Sequence, residues 1–490
     1  MLLIGVDLGT SAVKLLLMDE EGKILNIVSR EYPLYFPQPG WSEQNPEDWY
    51  RQAMDGIREL TKDCDKSQVA GIGCGGQMHG LVALDKDDQV IRPAILWNDG
   101  RTSEETDYLN QEIGKDKLSQ YTANIAFAGF TAPKILWMRK NEPENFAKIC
   151  KIMLPKDYLA YRLSGSFCTD VSDASGMLLM DVQHKCWSEK MMEVCGISKR
   201  QLPKLYESFE AVGTLKSDVA AELGLSSAVK VVAGAGDNAA AAVGTGTVGD
   251  GMCNISLGTS GTIFISSEKF RVDENNALHS FAHADGYYHL MGCMLSAASC
   301  NKWWMEDILN TREYAKEQSA IERLGENRVF YLPYLMGERS PHNDPKARAM
   351  FIGMTMDTTR EEMTQAALEG VTFGLRDSLE VARSLGISID RTKICGGGAK
   401  SPLWKKIIAN VMNLKVDVME SEEGPALGGA MLAAVACGAF GSVKEAADKL
   451  VKVVDTIEPE PELAAKYQER YEKFCQIYPT VKELFRNLAE

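Results

Sequence analysis

Two carboxylates, two glycine-bearing turns and one glycine run carry the chemistry open to this sequence. Asp7-Leu8-Gly9-Thr10-Ser11 joins two strand-like runs. A glycine turn between strands lets backbone N–H groups approach phosphate oxygens, and the hydroxyls of Thr10 and Ser11 add donors. Asp7, at the end of a buried strand, is placed to hold Mg2+ directly or through water. The motif Leu-Gly-Thr-Ser returns as Leu257-Gly258-Thr259-Ser260, 249 residues later and near the midpoint of 490. Ser256 stands where Asp7 stands in the first copy, so one copy alone keeps a carboxylate. That asymmetry fits one cation and one nucleotide between two phosphate-gripping turns. The competing account is a hairpin whose glycine only makes a turn.

Asp237 closes Gly234-Ala235-Gly236-Asp237-Asn238, just past a strand at 230–233 and at the start of a small-residue helix. Ligands of α/β folds collect at the carboxyl ends of strands. A helix N-terminus favours the ionised carboxylate that a general base must present; an ordinary N-cap aspartate is the alternative. Gly76-Gln77-Met78-His79-Gly80 joins two further strands and presents polar groups to a cleft, although a lone histidine is more often structural. In Trp97-Asn98-Asp99-Gly100-Arg101 the indole offers a flat wall for a sugar face and Asp99 a hydroxyl acceptor, against an Asp/Arg surface turn. Gly396-Gly397-Gly398-Ala399-Lys400-Ser401 fails as a P-loop, because Ala399 stands where glycine must precede the lysine. A glycine floor under a purine accounts for it better than a P-loop, with a plain strand–helix turn as the other reading.

The elements that must position these residues follow from periodicity. Leu2–Leu8, Val13–Asp19 and Ile24–Tyr32 read as consecutive antiparallel strands. Asn45 caps a helix that starts at Pro46 and buries Trp49, Ala53, Ile57 and Leu60. Met252–Ser256 and Thr262–Ser266 flank the second turn. Thr358 with Glu361 forms a capping box for a long helix running to Gly386. Thr392–Cys395 reads as a strand, Ser401-Pro402 as a helix start, and Pro459 and Pro461 as a break before a last helix. Residues 424–441 carry no charge but are rich in glycine and alanine, which predicts a buried helix touching other backbones rather than a membrane span. The repeated turn predicts two homologous lobes, 1–245 and 246–490.

Composition excludes several classes. At 490 residues the chain is too long for one core, and its 45% hydrophobic and 25% charged residues suit a globular protein. A formal charge of −15 counts against nucleic-acid binding. Twelve cysteines without a C-x-x-C pair predict a reducing, cytoplasmic setting. Six scattered histidines give a zinc site little support. The first apolar run is too short, and lacks the basic flank, to be a signal peptide.

Together these motifs resemble the FGGY carbohydrate kinases, over essentially the whole chain. Leu154-Pro155-Lys156-Asp157-Tyr158, Gly337-Glu338-Arg339-Ser340-Pro341-His342 and Gly424-Pro425-Ala426-Leu427-Gly428 continue the match. Within the family, Gln77-Met78-His79-Gly80 is most similar to its xylulose-phosphorylating members. The resemblance implies an α/β fold of two ribonuclease-H-like lobes, of the actin/hexokinase/Hsp70 type, with the active site in the cleft between them. It implies ATP and Mg2+ as cofactors, a small ketose as substrate and transfer to the 5-hydroxyl of D-xylulose. Asp237 would accept the proton, and Asp7 would be the activity-critical carboxylate beside the metal. Gln77, Met78, His79, Trp97, Asp99 and Asn238 would surround the sugar. Thr10, Ser11, Lys14, Gly258 and Thr259 would surround the phosphates, with Gly397, Gly398 and Ser401 at adenosine. No nucleic acid or membrane partner is expected; a homodimer is the family habit. Ribulose, gluconate or glycerol as acceptor is the alternative, and an actin- or Hsp70-like ATPase a more distant one.

Overall fold

The structure, a computed structural model, describes residues 1–421 and 423–488, so the last two positions of the expected second lobe lie outside it. The chain opens as an antiparallel meander of β1 (Leu2–Leu8), β2 (Ala12–Asp19) and β3 (Ile24–Glu31). The middle of β1 is buried on both faces, as its unbroken apolar run requires of a strand covered on both sides. One cover is α1 (Pro46–Leu60), capped by Asn45 and burying Trp49, Ala53, Ile57 and Leu60 as its spacing predicts. Next come β4 (Val69–Gly76), parallel to β1, then β5 (Ala211–Thr214), β6 (Lys230–Val232) and β7 (Ala235–Gly236). The sheet order is β5-β6-β4-β1-β2-β3, with β7 also on β4, and α2 (Asp237–Gly244) follows directly.

The second half repeats the plan. Its strands are β8 (Cys253–Leu257), β9 (Gly261–Ser267), β10 (His279–Ala282), β11 (Tyr288–Met294), β12 (Arg391–Cys395), β13 (Lys415–Met419) and β14 (Val453–Ile457). They form a sheet in the order β10-β11-β9-β8-β12-β13-β14. The run β3-β2-β1-β4-β6 in the first sheet matches β11-β9-β8-β12-β13 in the second. In each, three antiparallel strands are followed by two parallel ones. The two glycine turns occupy the same place, between β1 and β2 and between β8 and β9.

Four helices complete the part that matters here: α3 (Arg360–Ser384), α4 (Pro402–Met412), α5 (Gly424–Ala436) and α6 (Pro461–Leu488). The capping box of α3 uses Thr359 and Glu362, one residue later than expected, because Thr358 is engaged in the preceding turn, accepting from the Thr355 amide. Helix α5 is late in sequence yet packs on the first sheet through bare backbone. A Cβ on Gly5 would lie 1.8 Å from the Ala426 carbonyl oxygen, one on Gly73 2.0 Å from that of Gly429, and one on Gly428 1.9 Å from that of Ala240. The charge-free segment is therefore a helix pressed against β1, β4 and α2. Among the described residues no helix is long and apolar enough to cross a membrane.

Candidate active site

Both glycine turns are tied back through their carbonyls. In the first, Gln44 donates to the Thr10 carbonyl at 2.6 Å, and the Tyr32 hydroxyl to that of Gly9. In the second, the Ala298 amide donates to the Gly258 carbonyl at 2.9 Å, and the Ala297 amide and Ser299 hydroxyl to that of Thr259 at 3.0 and 2.7 Å. With their acceptors occupied, the turns offer donors to an anion. Ser11 and Thr259 are exposed at the turn tips.

Asp7 ends β1, opposite Lys14 on β2 and beside Gly75 on β4. Burial, then the negative field of Asp237, pushes its carboxyl up to about 7, with Lys14 pulling the other way. No hydrogen bond is among the influences on it. Lys14 reaches across to Glu423, just before α5, at 2.9 Å. Asp237 opens α2. Burial lifts it to about 6, opposed by hydrogen bonds to Oδ1 from the Asn238 amide (2.7 Å) and Nδ2 (2.9 Å). Among the described residues nothing donates to its Oδ2, which stays available to a ligand.

A buried charge cluster fixes the approach to Asp237. Lys156 lies 2.7 Å from Asp157, 2.8 Å from Asp170 and 3.5 Å from Asp173. Burial opposes its charge, but the three carboxylates outweigh that and hold it protonated. Asp170 accepts from the Ser172 hydroxyl at 2.5 Å, and that hydroxyl accepts from the Gly236 amide at 3.1 Å. The strand end bearing Asp237 is thereby pinned from below.

Met78 stands beside it, since a Cβ on Gly236 would meet Met78 at 2.9 Å; the His79 ring packs on Gly176, where a Cβ would meet it at 2.4 Å and Met78 at 3.1 Å. His79 adopts a left-handed backbone, φ 69°, with Thr131 and Lys134 donating to its carbonyl. Burial, with the Lys134 charge, drives its imidazole down to about 3, so it is neutral at physiological pH. Its Nδ1 lies 2.8 Å from the Gly176 carbonyl. A carbonyl only accepts, so Nδ1 carries the hydrogen and Nε2 is left as an acceptor for a hydroxyl.

Three further residues expected around a sugar are held by contacts within the protein. Asp99 is buried, and its oxygens accept from the Ser42 and Arg101 amides and from the Arg101 guanidinium at 2.6 to 2.9 Å. Its acceptor capacity is consumed, so it shapes its loop instead of binding a hydroxyl. Gln77 is buried and donates to Gln44 at 3.0 Å, which puts it in the support of the first turn. Trp97, 47% exposed, donates from its indole to the Thr10 hydroxyl at 2.9 Å and so adjoins the first phosphate turn.

The second half opens a cleft of about 880 Å3 running from Gly258 and Thr259 past Gly397, Gly398 and Ser401. A Cβ on Gly398 would collide with Leu257 at 2.8 Å and Trp404 at 3.0 Å, whereas Gly397 faces open space. Ser401 caps α4 and donates to Gln318 at 2.6 Å, so it builds the wall. Asn301 and Trp303 line the same cleft. Sequence reading missed them, since neither belongs to a glycine motif. Asn301 keeps a buried carbonyl oxygen without a partner, an acceptor suited to an N–H or O–H of a nucleoside. Among the described residues no three His, Cys, Asp or Glu side chains gather to cage a metal. Asp7, whose carboxylate receives no hydrogen bond among the described residues, instead fits Mg2+, which is commonly held by one or two carboxylates together with substrate phosphates and water.

Residues 2–244 match the model for the N-terminal domain of the FGGY family of carbohydrate kinases, and residues 253–437 the model for its C-terminal domain. The chain is 40% identical over 479 residues to a xylulose kinase of Escherichia coli, covering 97% of this chain and 98% of that one. It superposes on a crystal structure of a xylulose kinase from Brucella ovis with TM-score 0.94 at 39% identity, covering 99% and 100% of the two chains. A gluconate kinase from Lactobacillus acidophilus superposes equally well, TM-score 0.94, at 26% identity and 99% of each chain.

Proposed function

Since the chain belongs to the FGGY family of carbohydrate kinases, we propose that it transfers the γ-phosphoryl group of ATP to the 5-hydroxyl of D-xylulose. The observation that carries the reading is Asp237. It is a partly buried carboxylate just past a strand end, fixed through Oδ1 and open at Oδ2, beside Gly236, whose neighbour is Met78, and its charge acts on Asp7. Asp237 accepts the hydroxyl proton as the oxygen attacks phosphorus, with charge +1 on the proton moving to the carboxylate and ADP leaving. His79 Nε2 accepts from a second hydroxyl and fixes which oxygen faces Asp237. Thr10, Ser11, Gly258 and Thr259 donate to the phosphates, and Lys14 supplies positive charge beside them. Gly397 and Gly398 leave room for the purine. Mg2+, held by Asp7 directly or through water, supplies neutralisation of phosphate charge.

Xylulose is favoured over gluconate by the greater identity to xylulose kinases over the full length. The cytoplasm is the proposed setting, since both ATP and a reducing environment are found there. Initial rates of ADP formation against D-xylulose, D-ribulose, gluconate and glycerol test the reading. The expected kcat/KM for D-xylulose exceeds each of the others by at least about tenfold, equivalent to roughly 1.4 kcal/mol in transition-state binding. A higher value with any of the other three would replace the substrate.

A further inference from the structure

The second half brings Arg339, a cation that the mechanism above does not use, against Phe127 of the first half. Arg339 is partly buried, and among the described residues no carboxylate lies within ion-pair distance of its guanidinium. The adjacent Glu338 lies within its field without forming an ion pair with it, and its Oε1 accepts from the amides of Leu295 (3.0 Å) and Arg339 (2.8 Å). Instead the guanidinium carbon sits 4.9 Å from the ring centroid of Phe127, a residue of the first half. Phe127 meets Phe130 at 5.4 Å and His279 at 5.1 Å, and Phe130 stacks on His79 at 4.7 Å. Arg339 therefore caps an aromatic wall that ends at His79. It also donates to the Cys293 sulfur, and its positive field acts on His79, His279, Cys293 and Glu338, but it is not among the groups that perturb Asp7 or Asp237. Through Phe127 and Phe130 it reaches the His79 side of the site, and Cys293, which it contacts, lies within the field of Asp237.

A guanidinium only donates, and a carbonyl oxygen only accepts. His79 Nε2 already covers a hydroxyl hydrogen. We propose that Arg339 is a sugar-binding residue that donates to the oxygens of the ketose, its C2 carbonyl first. The inference rests on the sugar-kinase reading above and adds the contact by which the second half recognises the sugar. Stacking on Phe127 holds the guanidinium plane and reduces the freedom lost when the sugar arrives.

Steady-state kinetics of Arg339→Met with D-xylulose and ATP varied separately test this. Loss of charged hydrogen bonds raises the KM for the ketose about 10- to 100-fold, while the KM for ATP stays within about twofold. Arg339→Lys, which keeps charge but not the planar donor fork, gives an intermediate ketose KM and decides the matter should the methionine variant fail to fold. An unchanged ketose KM in a folded variant, or equal losses for both substrates, would overturn the inference. Wild-type protein in the same assay separates the two claims. If it phosphorylates D-xylulose while the variants keep its ketose KM, only the role of Arg339 falls; if it leaves D-xylulose untouched, the functional reading falls first.

Discussion

As the proposed base, Asp237 has to balance two opposed demands. A base must be ionised to accept a proton, yet its site excludes water, and that burial holds the carboxyl near 6. The sign of the pH dependence follows: ionised above about 6, the base is lost as pH falls through that value. Below pH 6, kcat/KM for the sugar should decline about tenfold per pH unit. Asp237→Ala should lower kcat about 10²- to 10⁴-fold, read in a coupled ADP assay. The same burial costs stability. The folded carboxyl keeps its proton up to about 6 whereas an unfolded aspartate releases it near ~4, so the native state loses stability as pH rises between those values. Asp237→Asn should therefore be more stable than wild type at pH 7.5 by on the order of 1–3 kcal/mol, seen as a higher Tm in calorimetry. Asp7 and Asp237 were legible in the sequence because each ends an apolar run beside glycine. Asp99 misled because a side chain that accepts hydroxyls and one that is saturated by a neighbouring arginine and a distant amide have the same letter. Arg339 was silent for the converse reason: whether a guanidinium is paired is decided by chains folded from far apart.

At the scale of elements, the glycines divide into those that let backbones touch and those that leave room for a ligand. Gly428 belongs to the first class, since any Cβ there meets the Ala240 carbonyl at 1.9 Å. Gly428→Ala should force α2 and α5 apart and destabilise the protein by about 1–3 kcal/mol, measured as a shift of the urea midpoint. Gly397 belongs to the second, with open space around it and a place on the nucleotide cleft. Gly397→Ala should leave the urea midpoint unchanged and raise the KM for ATP several-fold, about 1 kcal/mol of lost binding. The strands, α1 and the charge-free helix were readable because period and capping were strong. The shift of the α3 cap to Thr359 was not, because Thr358 and Thr359 are chemically equal and only the geometry of the preceding turn chooses between them.

The whole molecule repeats one sheet topology around two like turns and then breaks the symmetry where chemistry needs it. Among the described residues the first turn follows an aspartate and the second a serine, and the second adjoins the cleft of about 880 Å3. Helix α5 crosses back to the first sheet, and the Lys14–Glu423 pair links its start to β2. The repeat was visible as four residues; the crossing of α5 was not, since a glycine-rich run does not name the backbone it will meet. With the proposed acceptor pocket in the first half and the second glycine turn in the other, ATP without sugar should be hydrolysed at least about 10²-fold more slowly than the sugar is phosphorylated, because water is not held in line. The most direct test of the central claim is phosphorus–proton correlation NMR of the product formed from ATP and D-xylulose, run in parallel with wild-type protein and Asp237→Ala. The account predicts phosphorus coupled to the C5 protons with wild type and almost no product with the variant over the same period. A product phosphorylated at C1, or formation at the wild-type rate by Asp237→Ala, would contradict it.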